Sequence, residues 1–148
     1  KLNVVDTARW VMPEKNSKSL EKKAVMFESA YFKNKGDGSF ECKILPMEAQ
    51  FAPVRDILAG DFNEDGIPDL LLSGNNYSTR PSLGRQDASP GWFLQGNDSL
   101  IFKALMPSES GFFLKGDARK MHLIEIEGKS YIVSQSNNEE LQLFSHGK

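Results

Sequence analysis

Nine residues, Asp61-Phe62-Asn63-Glu64-Asp65-Gly66-Ile67-Pro68-Asp69, carry oxygen-bearing side chains at their first, third, fifth and ninth positions. Ca²⁺ takes six to eight oxygen ligands at about 2.3–2.6 Å, and a tight loop supplies them by turning alternate residues inward. Gly66 stands sixth, where the backbone must bend sharply, and Ile67 stands seventh, where such loops use a backbone carbonyl. The spacing therefore predicts a calcium site with side-chain ligands Asp61, Asn63, Asp65 and Asp69 and a carbonyl ligand from Ile67. The competing reading is an ordinary Asn/Asp/Gly turn, since these residues favour turns unaided. Three carboxylates brought together without a cation raise one another's pKa, so the pattern makes more physical sense with an ion. An EF-hand is excluded, because its twelfth position needs a bidentate Glu and its flanks must be helical. Here the twelfth residue is Leu72, inside a run that reads as a strand.

The elements that must hold this loop repeat their apolar residues with a period of two, which predicts an all-β chain. Strands are expected at 24–32 and 39–45, joined by Asn34-Lys35-Gly36-Asp37-Gly38. Asp-Gly between two apolar runs marks a hairpin, because those residues tolerate positive φ. Pro46 ends the second strand, since it has no N–H for a ladder. Further strands are expected at 54–59, 69–73, 92–95, 100–104, 120–127, 130–134 and 141–144. The run 69–73 (DLLLS) has the composition of a strand buried on both faces. Residues 16–23 look locally helical or loose, and their charge run reads as a solvated face. Residues 75–90 are polar and too long for a tight turn.

Bulk properties narrow the function. The chain of 148 residues fits one domain (1–148), and 39% hydrophobic, 26% charged and ten Phe describe a folded globular protein. A net charge of −2 argues against general nucleic-acid binding. No window approaches eighteen apolar residues, so no membrane-spanning helix is expected. The chain opens on Lys1 with no Met and no leader pattern, which suggests a processed piece whose export signal lies elsewhere. The single cysteine, Cys42, sits in a strand-like run with no His or cationic partner that would activate it, and is expected half-buried.

A weak internal echo links Leu58-Ala59-Gly60-Asp61 to Leu114-Lys115-Gly116-Asp117, and Gly74-Asn75-Asn76 to Ser136-Asn137-Asn138. Repeats of about 40–50 residues with roughly four short strands each mark propeller blades. The second copy lacks acidic ligands after Asp117, so one metal site is expected.

Residues 60–75, GDFNEDGIPDLLLSGN, resemble the FG-GAP or VCBS repeat of integrin-alpha-like β-propellers, with its D-x-N/D-x-D-G-x-x-D-L pattern followed by a buried strand. Residues 32–40, FKNKGDGSF, look like the hairpin that often precedes it. The resemblance covers about a third of the chain. It implies antiparallel propeller-like blades: a hairpin at 24–45, a calcium-loop blade at 54–104 and a degenerate terminal blade at 114–145. These strands amount to a partial propeller of about two to three blades. It also implies structural Ca²⁺ on Asp61, Asn63, Asp65, Asp69 and the Ile67 carbonyl. Incomplete edges then call for other blades of a longer chain or for self-association.

Catalysis has little support in the sequence. His122 lies in a strand-like run and His146 near the C-terminus. No nucleophile elbow, HExxH or phosphate-cradling glycine loop is present. Two functional classes remain. The first is a non-catalytic module, secreted, periplasmic or at the cell surface, binding protein or glycan through 75–92 with Tyr77, Arg80, Arg85 and Trp92. For those four residues the plainer alternative is a solvated loop with one packing Trp. The second class is part of a propeller-type polysaccharide hydrolase or lyase, with Asp56, Asp87 or Glu109 as acid/base groups. Such chemistry requires two carboxyls held about 5–10 Å apart across a sugar.

Overall fold

A computed structural model describes residues 23–145, and their regular structure is mostly β, in three antiparallel sheets. Strands β1 (Ala30–Asn34) and β2 (Phe40–Ile44) form a hairpin. Its turn is closed by its own side chains: Gly36 N–H donates to Asn34 Oδ1 at 2.8 Å and Ser39 N–H to Asp37 Oδ1 at 2.9 Å. Gly36 and Gly38 both sit at φ +84°, which explains the choice of glycine. Residues 24–29 are not in a strand, contrary to the expected one. The pairing with β2 ends at Ser29, whose carbonyl accepts Leu45 N–H at 3.0 Å, and Gln50, in the 3₁₀ turn Met47–Gln50, accepts Ser29 N–H at 2.7 Å and donates to the same carbonyl at 3.1 Å.

The second sheet is a meander of β3 (Val54–Gly60), β4 (Asp69–Gly74), β5 (Trp92–Gln95) and β6 (Lys103–Leu105). β3 alternates half-buried with exposed residues, whereas β4 is buried along almost its whole length, as its apolar run requires. β6 begins later than the apolar pattern suggests. Asn97 Oδ1 collects the N–H groups of Ser99 and Ile101 at 3.0 and 2.9 Å, and Leu100 is left at φ +56°. That local bonding holds 97–101 in a loop.

A single helical turn, α1 (Pro107–Ser110), leads to the third sheet of β7 (Ala118–Ile126), β8 (Lys129–Ser136) and β9 (Gln142–Ser145). Glu127 and Gly128, at φ +51° and +74°, join β7 to β8 directly. The sheets of two, four and three strands do not close into a barrel or a propeller. The stretch expected at 16–23 lies outside the described residues except for Lys23, as does His146.

The four-stranded sheet is the central layer. On one face Leu71 and Phe93 join Phe112, Met121 and Ile132 in a core shared with the third sheet. On the other, Leu72, Trp92 and Leu94 pack with Leu45 and Ala49 beneath the hairpin. Cys42 is exposed and not half-buried, because the hairpin face carrying Phe32, Phe40, Cys42 and Ile44 packs on no described element.

The second and third sheets open in the same way. Each first strand has a bulge at an arginine, Arg55 between Val54 and Asp56, and Arg119 between Ala118 and Lys120. The residues before the bulges, Val54 and Ala118, pair with Gly74 and Ser136, so the second echo in the sequence occupies matching places at the ends of β4 and β8. The first echo does not. Asp61 follows β3, while Asp117 precedes β7. The connection that corresponds to the acidic loop is the Glu127-Gly128 turn.

Asp56 fastens these two first strands together. Its Oδ2 accepts the Met121 N–H at 2.9 Å and its Oδ1 the Lys120 ammonium at 3.0 Å. Burial pushes the Asp56 carboxyl up, but the Met121 and Lys120 contacts outweigh it and hold it below its ordinary value. Lys120 is largely exposed, so the bond to Met121 contributes more than the ion pair. Asp56→Ala should cost about 2 kcal/mol, the scale of a charge-assisted hydrogen bond, read by urea denaturation at pH 7. A carboxyl whose folded pKa is depressed contributes stability above its unfolded pKa and loses it as pH falls through the lower folded value. The difference between wild type and Asp56→Ala should therefore shrink as pH falls from about 5 through the carboxylate range.

Candidate metal centre and the adjoining surface loop

The acidic loop spans the connection from β3 to β4 and is built from its own oxygens. Asp61 Oδ1 accepts Asp65 N–H at 3.1 Å, and its Oδ2 accepts Gly66 N–H at 2.8 Å. Asn63 Oδ1 accepts the same Asp65 N–H at 3.1 Å, and its amide donates to Asp65 Oδ2 at 2.8 Å. Asp65 Oδ1 receives the N–H of Ile67 at 2.8 Å. Two residues take positive φ to make this winding possible, Glu64 at +61° and Gly66 at +83°.

Asp69 differs from the others in being fully buried. Its Oδ2 accepts Phe62 N–H at 3.2 Å and its Oδ1 accepts Gly96 N–H at 2.9 Å. It thus ties the start of the acidic loop to the β5–β6 connection. Burial raises its pKa, two backbone donors oppose that, and the nearby Asp65 and Asp61 charges push it up further. The sum is a carboxyl above its ordinary value. Burial is the main cause, and the charges of Asp65 and Asp61 make the smallest contributions.

The donors are all oxygens, the chemistry that Ca²⁺ prefers. Each carboxylate oxygen that accepts one N–H keeps a further lone pair for a cation. The donor types suit the ion, but their positions do not gather round one point. Among the described residues, no group of three or more His, Cys, Asp or Glu side chains stands in a ready metal-holding arrangement. Ile67 is half-buried beside the loop, its N–H fixed by Asp65.

The proposed ligand surface divides. Residues 75–90 are folded on themselves: Asn76 and Gln86 exchange backbone bonds at 2.8 and 3.1 Å, and the Thr79 hydroxyl donates to the Gly84 carbonyl. Tyr77 is half-buried with the Arg85 guanidinium 4.7 Å from its ring centroid. Arg80 is exposed at the start of a 3₁₀ turn, Pro81–Leu83. Trp92 is not part of this surface. It is 6% exposed, packs in the core with Leu72 and Leu94, and meets the Phe51 ring edge-on at 6.3 Å. The cause is its place as the first residue of β5, facing the hairpin.

Two residues that pattern reading passed over reach the same loop. Arg55 Nε donates to the Asn75 carbonyl at 3.3 Å, and an Arg119 amino group donates to Ser78 Oγ at 3.3 Å while its guanidinium is held by Asp117 at 2.7 Å. The bulges direct them there, and a bulge has no signature in a single alternating run.

Two of the three acid/base candidates, Asp56 and Glu109, are engaged in hydrogen bonds. Asp56 is bound to Met121 and Lys120, and Glu109 accepts Met106 N–H at 2.8 Å at the start of α1. Asp87 is exposed in the loop, and His122 is exposed on β7 opposite Val133. Comparison with protein-family models, curated proteins and solved structures returned no match.

The loop's glycines give a direct test of its geometry. A Cβ on Gly96 would run into the Pro68 carbonyl oxygen, while one on Gly66 meets nothing but sits at a φ that L-residues disfavour. Gly96→Ala should cost about 1–3 kcal/mol through overpacking, and Gly66→Ala about 1–2 kcal/mol, by urea denaturation in chelator. Gly66→Asn should lose less, because Asn tolerates that region. The Asp69 shift gives a second test. A carboxyl with a raised folded pKa favours folding while protonated, and that contribution is lost as pH rises from the ordinary carboxylate range through the raised value. In chelator, Asp69→Asn should therefore gain stability relative to wild type as pH climbs from about 4 to 7.

Proposed function

We propose that this chain is a calcium-braced module of propeller-type blades that binds protein or glycan outside the cell or in the cell envelope. The acidic loop carries the reading. Asp61, Asn63 and Asp65 are wound into one turn by their own hydrogen bonds, and the carboxyl at the ninth position is disfavoured mainly by burial and to a lesser extent by its acidic neighbours. A divalent cation would reverse that penalty, so the ion's role is structural: it fastens the end of β3 to the start of β4. Asp61, Asn63, Asp65 and Asp69 would hold it through side chains and Ile67 through its carbonyl.

The paired bulges at Arg55 and Arg119 support reading the four-stranded and three-stranded sheets as blades of one repeat. The exposed apolar face of the hairpin, with Phe32 and Phe40 each 60% exposed, supports association with further blades or with another copy. Millimolar Ca²⁺ outside cells suits weak modular sites, which favours an exported location. Among the described residues no helix is long and apolar enough to cross a membrane. The ligand surface is the loop 75–90 with Tyr77, Arg80 and Arg85, extended by Arg55 and Arg119.

Ca²⁺ at a hundredfold excess over its Kd should add about 2.7 kcal/mol to folding stability, a rise of several degrees in Tm for a domain of this size. The comparison is a melt in millimolar Ca²⁺ against one in chelator, for wild type and for Asp65→Ala. A wild type indifferent to Ca²⁺ would remove the metal site. For the surface, a glycan array combined with polysaccharide turnover assays separates module from enzyme. Saturable binding without turnover, weakened by Arg85→Ala, is the expected result. Turnover abolished by Asp87→Ala would overturn the module reading.

A further inference from the structure

The four-stranded sheet meets the layer before it in the chain with one face and the layer after it with the other. Leu70, Leu72 and Leu94 face the hairpin, while Leu58, Leu71 and Phe93 face the third sheet. The latter three stand side by side on β3, β4 and β5, and Leu58 is the third residue after the Arg55 bulge. On the third sheet the third residue after the Arg119 bulge is His122, which stands beside Val133 and Leu143. The opposite face repeats the order too. Ile132 and Phe144, which pack toward the four-stranded sheet, hold the places of Leu70 and Leu94. The row His122–Val133–Leu143 is therefore a second copy of the row that grips the following layer. Neither core includes it, and His122 and Leu143 are exposed.

At the other end of the stack, the hairpin turns Phe32, Phe40, Cys42 and Ile44 outward. Met26 folds back over them, its sulfur 3.8 Å from that of Cys42. Val25, Phe27, Phe32, Phe40 and Ile44 are each at least 60% exposed. At about 150–250 Å² per aromatic side chain they leave on the order of 600 Å² bare. That is the upper end for a patch on a monomer, about 300–600 Å², and it approaches the roughly 800 Å² that each partner gives to a stable interface. Among the described residues the hairpin has no layer before it and the third sheet none after it. We propose that these two faces are partners: the hairpin of one copy packs on the His122–Val133–Leu143 face of another, head to tail. The contact continues the layer order already present within the molecule. Pairing hairpin on hairpin would set two leading faces together, which neither internal contact does. The inference specifies the self-association of the proposed function and rests on the likeness of the two sheets given there. Neither face includes a residue of the acidic loop.

Sedimentation velocity of the whole chain tests this over about 1–100 μM, the weak end for interfaces of this size. A heterologous contact is not complete after two copies, so the wild type should grow past the dimer as its concentration rises. Phe40→Asp and Leu143→Asp, one on each face, should each remain monomeric. Mixed in equal amounts they should form a dimer and nothing larger, since each brings the face that the other has lost. A wild type that stays monomeric throughout overturns the proposal, and a Tm still raised by Ca²⁺ in that sample would leave the metal reading standing. Leu143→Asp that dimerises unaided also overturns it, because only hairpin-on-hairpin pairing allows that. Should either variant fail to fold, maleimide labelling of wild-type Cys42 decides the matter. A rate about tenfold lower at the upper concentration supports a covered hairpin face, since thiol reactions depend on access. Equal rates at both concentrations overturn it.

Discussion

A carboxylate with no access to solvent sets the geometry around which the central sheet is arranged. Asp69 opens β4, and its two oxygens hold two different connections, the acidic loop through Phe62 and the β5–β6 loop through Gly96. The approach is close enough that a Cβ at residue 96 would strike the Pro68 carbonyl. Burying an ionised carboxylate costs several kcal/mol unless it is bonded or paired. Two backbone donors meet part of that cost, and two acidic neighbours add to it. The Asp69 carboxyl is therefore held above its ordinary value beside a loop whose winding is made by the hydrogen bonds of Asp61, Asn63 and Asp65. The proposed cation site rests on those two features together.

Much of this was legible in the sequence because local chemistry dictated it. The Gly36-Asp37-Gly38 turn, the buried run of β4 and the exact start of β5 needed only positive φ, apolar continuity and alternation. The failures had non-local causes. Residues 24–29 alternate like a strand, but the pairing with β2 ends at the Leu45 bond to the Ser29 carbonyl, and Gln50 takes the Ser29 N–H. Leu100 belongs to an apolar run, yet Asn97 captures the backbone around it. Trp92 reads both as the start of a strand and as the last residue of a candidate ligand surface, and tertiary packing settles it as a core residue of β5, as the alternative of one packing Trp has it. Asp117 matched Asp61 by neighbours in sequence and not by place in the topology.

The loop 75–90 shows how a long polar segment can be ordered without regular structure. Asn75 donates to the carbonyls of both Ser89 and Gly116 and accepts from Ser89 N–H at 2.9 Å, so one amide fixes both ends of the loop and joins it to the third sheet. The two bulge arginines then reach it from separate sheets. A surface assembled in this way is positioned by strands even though its residues are not in them. Its cation–π pair of Arg85 on Tyr77 covers one face of that ring, so arginine donors, more than an open aromatic plane, set the chemistry of this loop.

Two sheets that begin alike make their first reversal by opposite means. β7 turns into β8 through two positive-φ residues, Glu127 and Gly128, with no carboxylate cluster, while β3 turns into β4 through a coil of acidic residues wound by their own hydrogen bonds. Torsional preference is indifferent to the surrounding solution, and charge repulsion is not. If the proposed ion is bound, its withdrawal would not loosen the molecule evenly: amide protons at the β3–β4 reversal would exchange first, while the β7–β8 reversal kept its protection. The chain would thus have a fixed point of entry for unfolding, set by solution composition at one end of one sheet.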